Sequence, residues 1–245
     1  MNIKNFINDY AENNYDFKGD AESLFVAKFI YNHASGEKVL DLGCGPVHHL
    51  LAMFIRNHKM SFLLDLHQEN LDYIKKCKID NYISEAHRSA YNYKKRYLRN
   101  GFDKCLTISD MMRSIYSKIY GYQQGNVLNR YEHLENNFDC VMQIGCFGAL
   151  DNYDQFTKAI TNANSYLKQE GILLMANWIQ TSFGARPFSF NGRVSSVLNK
   201  HNYNHGITSI GMQIVKYGEF KQLSNISKKQ GYTSILFAVA RKPLL

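Results

Sequence analysis

The segment Val39-Leu40-Asp41-Leu42-Gly43-Cys44-Gly45-Pro46 joins a short apolar run to a Gly-x-Gly turn. A buried strand that ends this way and opens into a helix lets a ligand lie against bare backbone, because neither glycine carries a Cβ. Two cofactor classes use such a turn. A dinucleotide site wants a third glycine at position 48 and a pyrophosphate at the helix N-terminus, yet that position is His48. S-adenosylmethionine has no phosphate. It needs a flat slot for adenine, a carboxylate for the ribose diol and room for a methionyl tail. Asp65 ends the next apolar run, 22 residues after Gly43, and an acceptor-only side chain suits two hydroxyls. Asp41 could orient the turn or meet the cationic end of the cofactor. The absent third glycine and the acid just before Gly-x-Gly favour S-adenosylmethionine over a nicotinamide cofactor. The plain alternative is a turn that serves only tight strand–helix packing.

Other reactive side chains point to less. The five cysteines, Cys44, Cys77, Cys105, Cys140 and Cys146, are spread out with no CxxC, which indicates neither a disulfide framework nor a zinc site. Reduced thiols in a cytoplasmic protein are the expectation. Cys146 has no Pro-Cys context for a nucleophile. His48 and His49 are adjacent, so on a helix they point about 100° apart and cannot share one metal; no metal site is expected. Lysine and arginine exceed the acids by 29 − 21 = 8 over 245 residues, so anionic partners must be weighed. Arg88, Lys94, Lys95, Arg96, Arg99 and Lys104, against Glu85 and Asp103, carry much of that excess. They read as a solvated helix face. No apolar stretch reaches the roughly 18 residues of a membrane span, and the N-terminus has no apolar signal core.

The elements that must position the turn follow from periodicity. With 45% hydrophobic and 20% charged residues, the chain has the make-up of a packed globular domain. Asp20 is placed to cap a helix ending near Gly36. A strand is expected at 38–42, a helix from 47 to about 57, a strand at 61–65 and a helix over 68–77. That alternation marks an α/β fold with a parallel sheet. Helices are expected around 84–99 and 107–120, with no strand until 126–128. Then come a strand at 138–144, a helix over 151–167, a strand at 171–177 and a loop over 178–191. Two strands, 207–217 and 232–241, joined by a polar linker at 218–231, suggest a closing antiparallel pair.

The run Leu40-Asp41-Leu42-Gly43-Cys44-Gly45-Pro46 resembles the first motif of class I S-adenosylmethionine-dependent methyltransferases, with Asp65 as their second-strand acid. Asp9-Tyr10-Ala11-Glu12-Asn13-Asn14-Tyr15-Asp16-Phe17, Asn70 after Asp65, and Phe237-Ala238-Val239-Ala240-Arg241-Lys242 resemble the small-molecule family that includes nicotinamide, phenylethanolamine and thioether methyltransferases. The resemblance implies one domain over 1–245 with a seven-stranded, mostly parallel, Rossmann-like sheet and helices on both faces. It further implies a lid segment at 1–34 and a substrate-side cap at 178–206; the tyrosine-rich, basic stretch 80–122, with its two expected helices, reads as a helical insert.

Residue by residue, the resemblance implies that Tyr10 and Tyr15 fold over cofactor and substrate. Gly43, Cys44 and Gly45 would meet the methionyl part, with His49 near its carboxylate. Asp65, Leu66 and Asn70 would hold the ribose and its surroundings. Asn126 and Val127 fall where the family has Asp-Val around adenine, and Ile144 and Gly145 would separate cofactor from substrate. At the end of the fifth strand, family members that methylate amines place a carboxylate; here the residue is Asn177, followed by Trp178. Thr181, Phe183 and Phe188 fall in the matching substrate loop and suggest a flat acceptor. The expectation is methyl transfer to a small neutral or aromatic acceptor, with nitrogen favoured. The rivals are an RNA methyltransferase using the basic, tyrosine-rich insert, and a catalytically silent cofactor-binding module.

Overall fold

The computed structural model describes residues 17–98, 107–180, 198–229 and 231–244. Two compact units make up the chain, residues 1–126 and 127–245. In the first, Asp20 caps helix α1 (Ala21–His33), its carboxylate accepting from Ser23 N at 2.9 Å and Ser23 Oγ at 2.6 Å. Strand β1 (Lys38–Leu42) is buried from Val39 onward, Asp41 included, as a parallel strand covered on both faces must be. It pairs in parallel with β2 (Met60–Asp65), Leu42 opposite Leu64.

The stretch between these strands is less regular than its sequence suggests. In place of one helix over 47–57 there is a 3₁₀ turn (Gly45–Val47), a single α-helical turn α2 (His48–Leu51) and a second 3₁₀ turn (Ala52–Phe54). All residues from Pro46 to Ile55 are buried. A segment covered on every side takes its winding from its neighbours, not from an amphipathic stripe.

Helix α3 (Gln68–Asp80) follows and stops at Asn81, whose φ of 48° is a left-handed conformation that asparagine tolerates. Ser84 and His87 form a reciprocal cap for α4 (Glu85–Tyr97); Thr107 and Asp110 do the same for α5 (Ile108–Lys118). Region 80–122 is not wholly helical. Strand β3 (Ile119–Gln124) pairs in parallel with β2, earlier in the chain than the strand expected at 126–128. Its Tyr-Gly-Tyr-Gln-Gln composition and partial exposure hide the alternation that marks a strand.

The second unit opens with β4 (Phe138–Ile144), helix α6 (Tyr153–Tyr166) and β5 (Leu167–Gln180), β4 and β5 being parallel. Trp178 to Gln180, expected in a loop, continue β5 because each finds a partner on β7 (Tyr232–Arg241). Residues 207–217 are not one strand. Helix α7 (Lys200–Ser209) ends there and β6 (Gln213–Phe220) begins, with Ile207 and Tyr203 buried on the helix. Gly206 permits this packing, since a Cβ there would lie 2.9 Å from the Phe156 ring. The polar linker holds the short helix α8 (Asn225–Lys229). Strands β5, β7 and β6 are antiparallel, which is the expected closing pair.

All seven strands belong to one mostly parallel sheet of order β3-β2-β1-β4-β5-β7-β6, an α/β architecture. No helix among the described residues is long and apolar enough to cross a membrane.

Candidate functional site

In the first unit the chain leaves β1 through Gly43 and Gly45, with φ of 65° and 54°. Side chains with a Cβ strain against such angles, which accounts for both glycines. Gly43 N donates to Leu64 O at 2.7 Å, clamping the turn to the end of β2. Among the described residues, nothing lies within 4 Å of the point where a Cβ of Gly45 would stand, so none of them closes this side of the backbone to an approaching group.

Asp65 is the hub of this turn. Its Oδ2 accepts from Gly45 N at 2.7 Å; its Oδ1 accepts from His67 N at 2.9 Å and Asn70 Nδ2 at 3.0 Å. The spacing from β1 to β2 and the i+5 step to Asn70 bring two of the expected residues, Gly45 and Asn70, onto the Asp65 carboxylate. A carboxylate oxygen has about two good lone-pair sites, so the donors among the described residues fill Oδ1 and leave one site on Oδ2. Leu66 beside it is 48% exposed, an apolar side chain left uncovered at a polar turn. Asn126, just beyond β3, is half-buried.

Asp41 faces a different partner. Its Oδ2 lies 2.7 Å from His48 Nδ1, both groups being buried. A carboxylate can only accept, so Nδ1 carries the proton. The bond ties the end of β1 to the start of α2. His49 is committed to packing. Its ring stacks on His87 at 4.7 Å, and Tyr73 and Tyr116 lie about it at 6.1 and 6.0 Å. Burial, followed by the neighbouring His87 and His48, holds its pKa well below the usual range. Its Nδ1 has no hydrogen-bond partner among the described residues. Burial likewise holds His87 down to about 4. His87 had no signal of its own in the sequence beyond the Ser-x-x-His spacing at the start of α4.

In the second unit β4 ends at Ile144 and turns at Gly145, whose φ is 90°. Gly145 N donates to Ala176 O at 2.7 Å. The Trp178 ring passes 3.6 Å from where a Cβ of Gly145 would stand, so the indole lies directly on this turn. Asn177 is fully buried. Its Oδ1 accepts from Gly148 N at 2.9 Å, and its Nδ2 donates to the Tyr203 hydroxyl at 2.9 Å. Because a backbone N–H is always a donor, the amide orientation is set without ambiguity. Asn177, the neutral residue at the end of the fifth strand, therefore braces the turn at Gly148 and is itself held by Tyr203. Tyr203 sits on α7, 26 residues from Asn177, and burial pushes its phenol far up. Neither it nor Gly148 carries a local sequence signal. Val127 is buried and its carbonyl accepts from Asn162 Nδ2 at 2.9 Å.

Tyr10, Tyr15, Thr181, Phe183 and Phe188 lie outside the described residues, as do residues 1–16 of the expected lid and 181–197 of the expected cap. Helix α4 buries Ala86, Ala90 and Tyr93 and exposes Arg88, Lys95 and Arg96. Lys95 lies over Tyr91 and Arg96 over Tyr97, at 5.9 and 5.2 Å.

The model of the NNMT/PNMT/TEMT family matches residues 4–243. No curated protein matches the chain significantly. Among solved structures, it is similar to the cyclase SpnF at 11% identity and TM-score 0.62, over 99% of this chain and 93% of that one. It is similar to an S-adenosylmethionine dependent methyltransferase from Mesorhizobium loti at 12% and 0.57, over 92% and 100%. It is also similar to the N-methyltransferase NodS from Bradyrhizobium japonicum, in complex with S-adenosyl-L-homocysteine, at 14% and 0.55, over 93% and 91%. At such identities these likenesses show the fold, which by itself hosts more than one chemistry.

Proposed function

The chain belongs to the NNMT/PNMT/TEMT family, and from that premise we propose that it methylates a nitrogen of a small neutral or aromatic acceptor. It is an S-adenosylmethionine-dependent methyltransferase. The residues of the β1 turn fit that cofactor. Gly45 offers an open backbone face, Asp65 keeps an acceptor site on Oδ2, and Leu66 offers uncovered apolar surface beside it. In this reading Gly43, Cys44 and Gly45 hold the methionyl part, Asp65 and Asn70 the ribose, and Leu66, Asn126 and Val127 the adenine. Asp65 takes one ribose hydroxyl directly on Oδ2, and the second must displace a donor from Oδ1 or go elsewhere.

The cofactor supplies an electrophilic methyl group on a sulfonium. The protein supplies position and a dry wall. Ile144 and Gly145 form the wall, and Trp178 packed on Gly145 presents a flat face to a planar acceptor. A neutral nitrogen attacks with its own lone pair, so no base is required before bond formation. The observation that carries the acceptor assignment is Asn177. The end of β5 carries a buried neutral amide, hydrogen-bonded on both of its polar ends, and no carboxylate to pair with a cationic amine.

The decisive experiment is calorimetry with S-adenosylmethionine and S-adenosylhomocysteine on the wild type and on Asp65→Ala. Loss of a charge-assisted hydrogen bond, about 1.5–3 kcal/mol, should weaken both ligands by at least tenfold. Unchanged affinity would refute the ribose assignment. Turnover is then read on neutral heteroaromatic, amine, thiol and phenol acceptors. Methylation confined to protonated amines, or to RNA, would overturn the acceptor class.

A further inference from the structure

Helix α7 carries a feature to which the proposed function assigns no role. His201 and His205 are both exposed and one helical turn apart, with ring centroids 6.0 Å apart and planes within 7°. The Tyr153 ring, at the start of α6, lies 6.2 Å from His205 at 11°, which limits how far that imidazole can swing. Lys200, the nearest cation in sequence, is drawn to Glu219 at 2.9 Å. Tyr203, between the two histidines in sequence, is buried and receives the Asn177 bond. The same short helix thus bears an exposed pair of imidazoles and the inward-facing support of Asn177.

We propose that His201 and His205 form a two-point clip for a divalent transition ion of the zinc or nickel type. Imidazole nitrogen is the ligand such ions prefer, and residues i and i+4 share a helix face. Two nitrogens at about 2.1 Å from one tetrahedral ion leave the ring centroids about 5 Å apart. Rotation of the exposed His201 ring toward His205 closes that difference from 6.0 Å. Among the described residues no group of three or more histidine, cysteine or acidic side chains converges on a point, so solvent completes the coordination. An ion held this way joins successive turns of α7 and stabilises the folded chain, because the unfolded chain does not hold the pair together.

The test is calorimetric titration of untagged, chelator-treated full-length protein with Zn²⁺ alone and with Ni²⁺ alone, repeated on His201→Ala and His205→Asn. We expect one ion per chain with micromolar affinity, at least tenfold weaker binding in each variant, and a rise of a few degrees in Tm for the wild type only. Co²⁺ absorption separates imidazole from thiol ligation. No binding, affinity unchanged in either variant, or a thiolate charge-transfer band at the titrated site would overturn the clip.

Discussion

Two strand ends in this protein solve one problem with different chemistry. At the end of β2, Asp65 accepts from Gly45 N; at the end of β5, Asn177 accepts from Gly148 N. Each polar side chain ties down a glycine-containing turn, and each is buried. The first is an acid with lone-pair capacity to spare. The second is an amide whose orientation is set by Gly148 on one side and Tyr203 on the other. Under the proposed function, charge at the first end takes a ribose hydroxyl and neutrality at the second excludes a cation.

The two halves also differ in how they hold histidine. The first unit buries His48, His49, His58 and His87, whereas His133, His201 and His205 of the second are exposed. The largest predicted effect uses that contrast. Burial holds His58 down to about 3 and His87 to about 4, and lowers His49 as well. In the unfolded chain each titrates near 6.5. Their folded pKa values are depressed, so the unfolded state binds protons first and stability falls as pH drops below about 6.5. By pH 5 the loss is about 2 kcal/mol for each of His58 and His87. Denaturant midpoints at pH 7, 6 and 5 check the sum, and hydrogen exchange should show the first unit loosening before the second. Midpoints that do not move would break the contrast.

A reciprocal exchange at the strand ends comes next. Asp65→Asn should weaken S-adenosylmethionine binding at least tenfold, whereas Asn177→Asp should change it by less than about threefold. Asn177→Asp should instead improve KM for cationic amines relative to neutral acceptors, read in paired turnover assays. Equal effects of the two substitutions on cofactor affinity would show that the ends do not divide the work.

Smaller effects sharpen the picture. Tyr203→Phe leaves a buried Asn177 N–H without its acceptor and should cost about 1–2 kcal/mol, seen as a drop in Tm with little change in cofactor affinity. Gly45→Ala places a Cβ in open space, so only the positive φ opposes it. The cost should be about 1 kcal/mol in thermal or denaturant unfolding.

Much of the β1 turn and its Asp65 hub was legible in the sequence because its parts are local. A buried strand, two glycines that need positive φ and an acid one strand later obey short-range rules, and Asn70 lies one helical turn and a residue beyond Asp65. The end of β5 was legible only as a position. Asn177 could be read as a neutral residue at a strand end, but not its bonds, since Gly148 and Tyr203 lie far along the chain and their types are common. The same limit explains β3, whose edge position weakens alternation, and the α2 segment, whose burial on every side leaves no period.

What the sequence determined by itself was therefore the α/β alternation, the open glycine turn and the sign of the charge at each strand end. Backbone sterics, hydrophobic periodicity and side-chain ionisation act over a few residues, and they are written in order along the chain. Only the tertiary structure decided that His49 packs against His87, that Asp41 is bound to His48, and that Asn177 is held between a turn and a helix. Those outcomes depend on which distant groups burial forces together, because a polar atom removed from water must take whatever partner the packing brings within 3 Å.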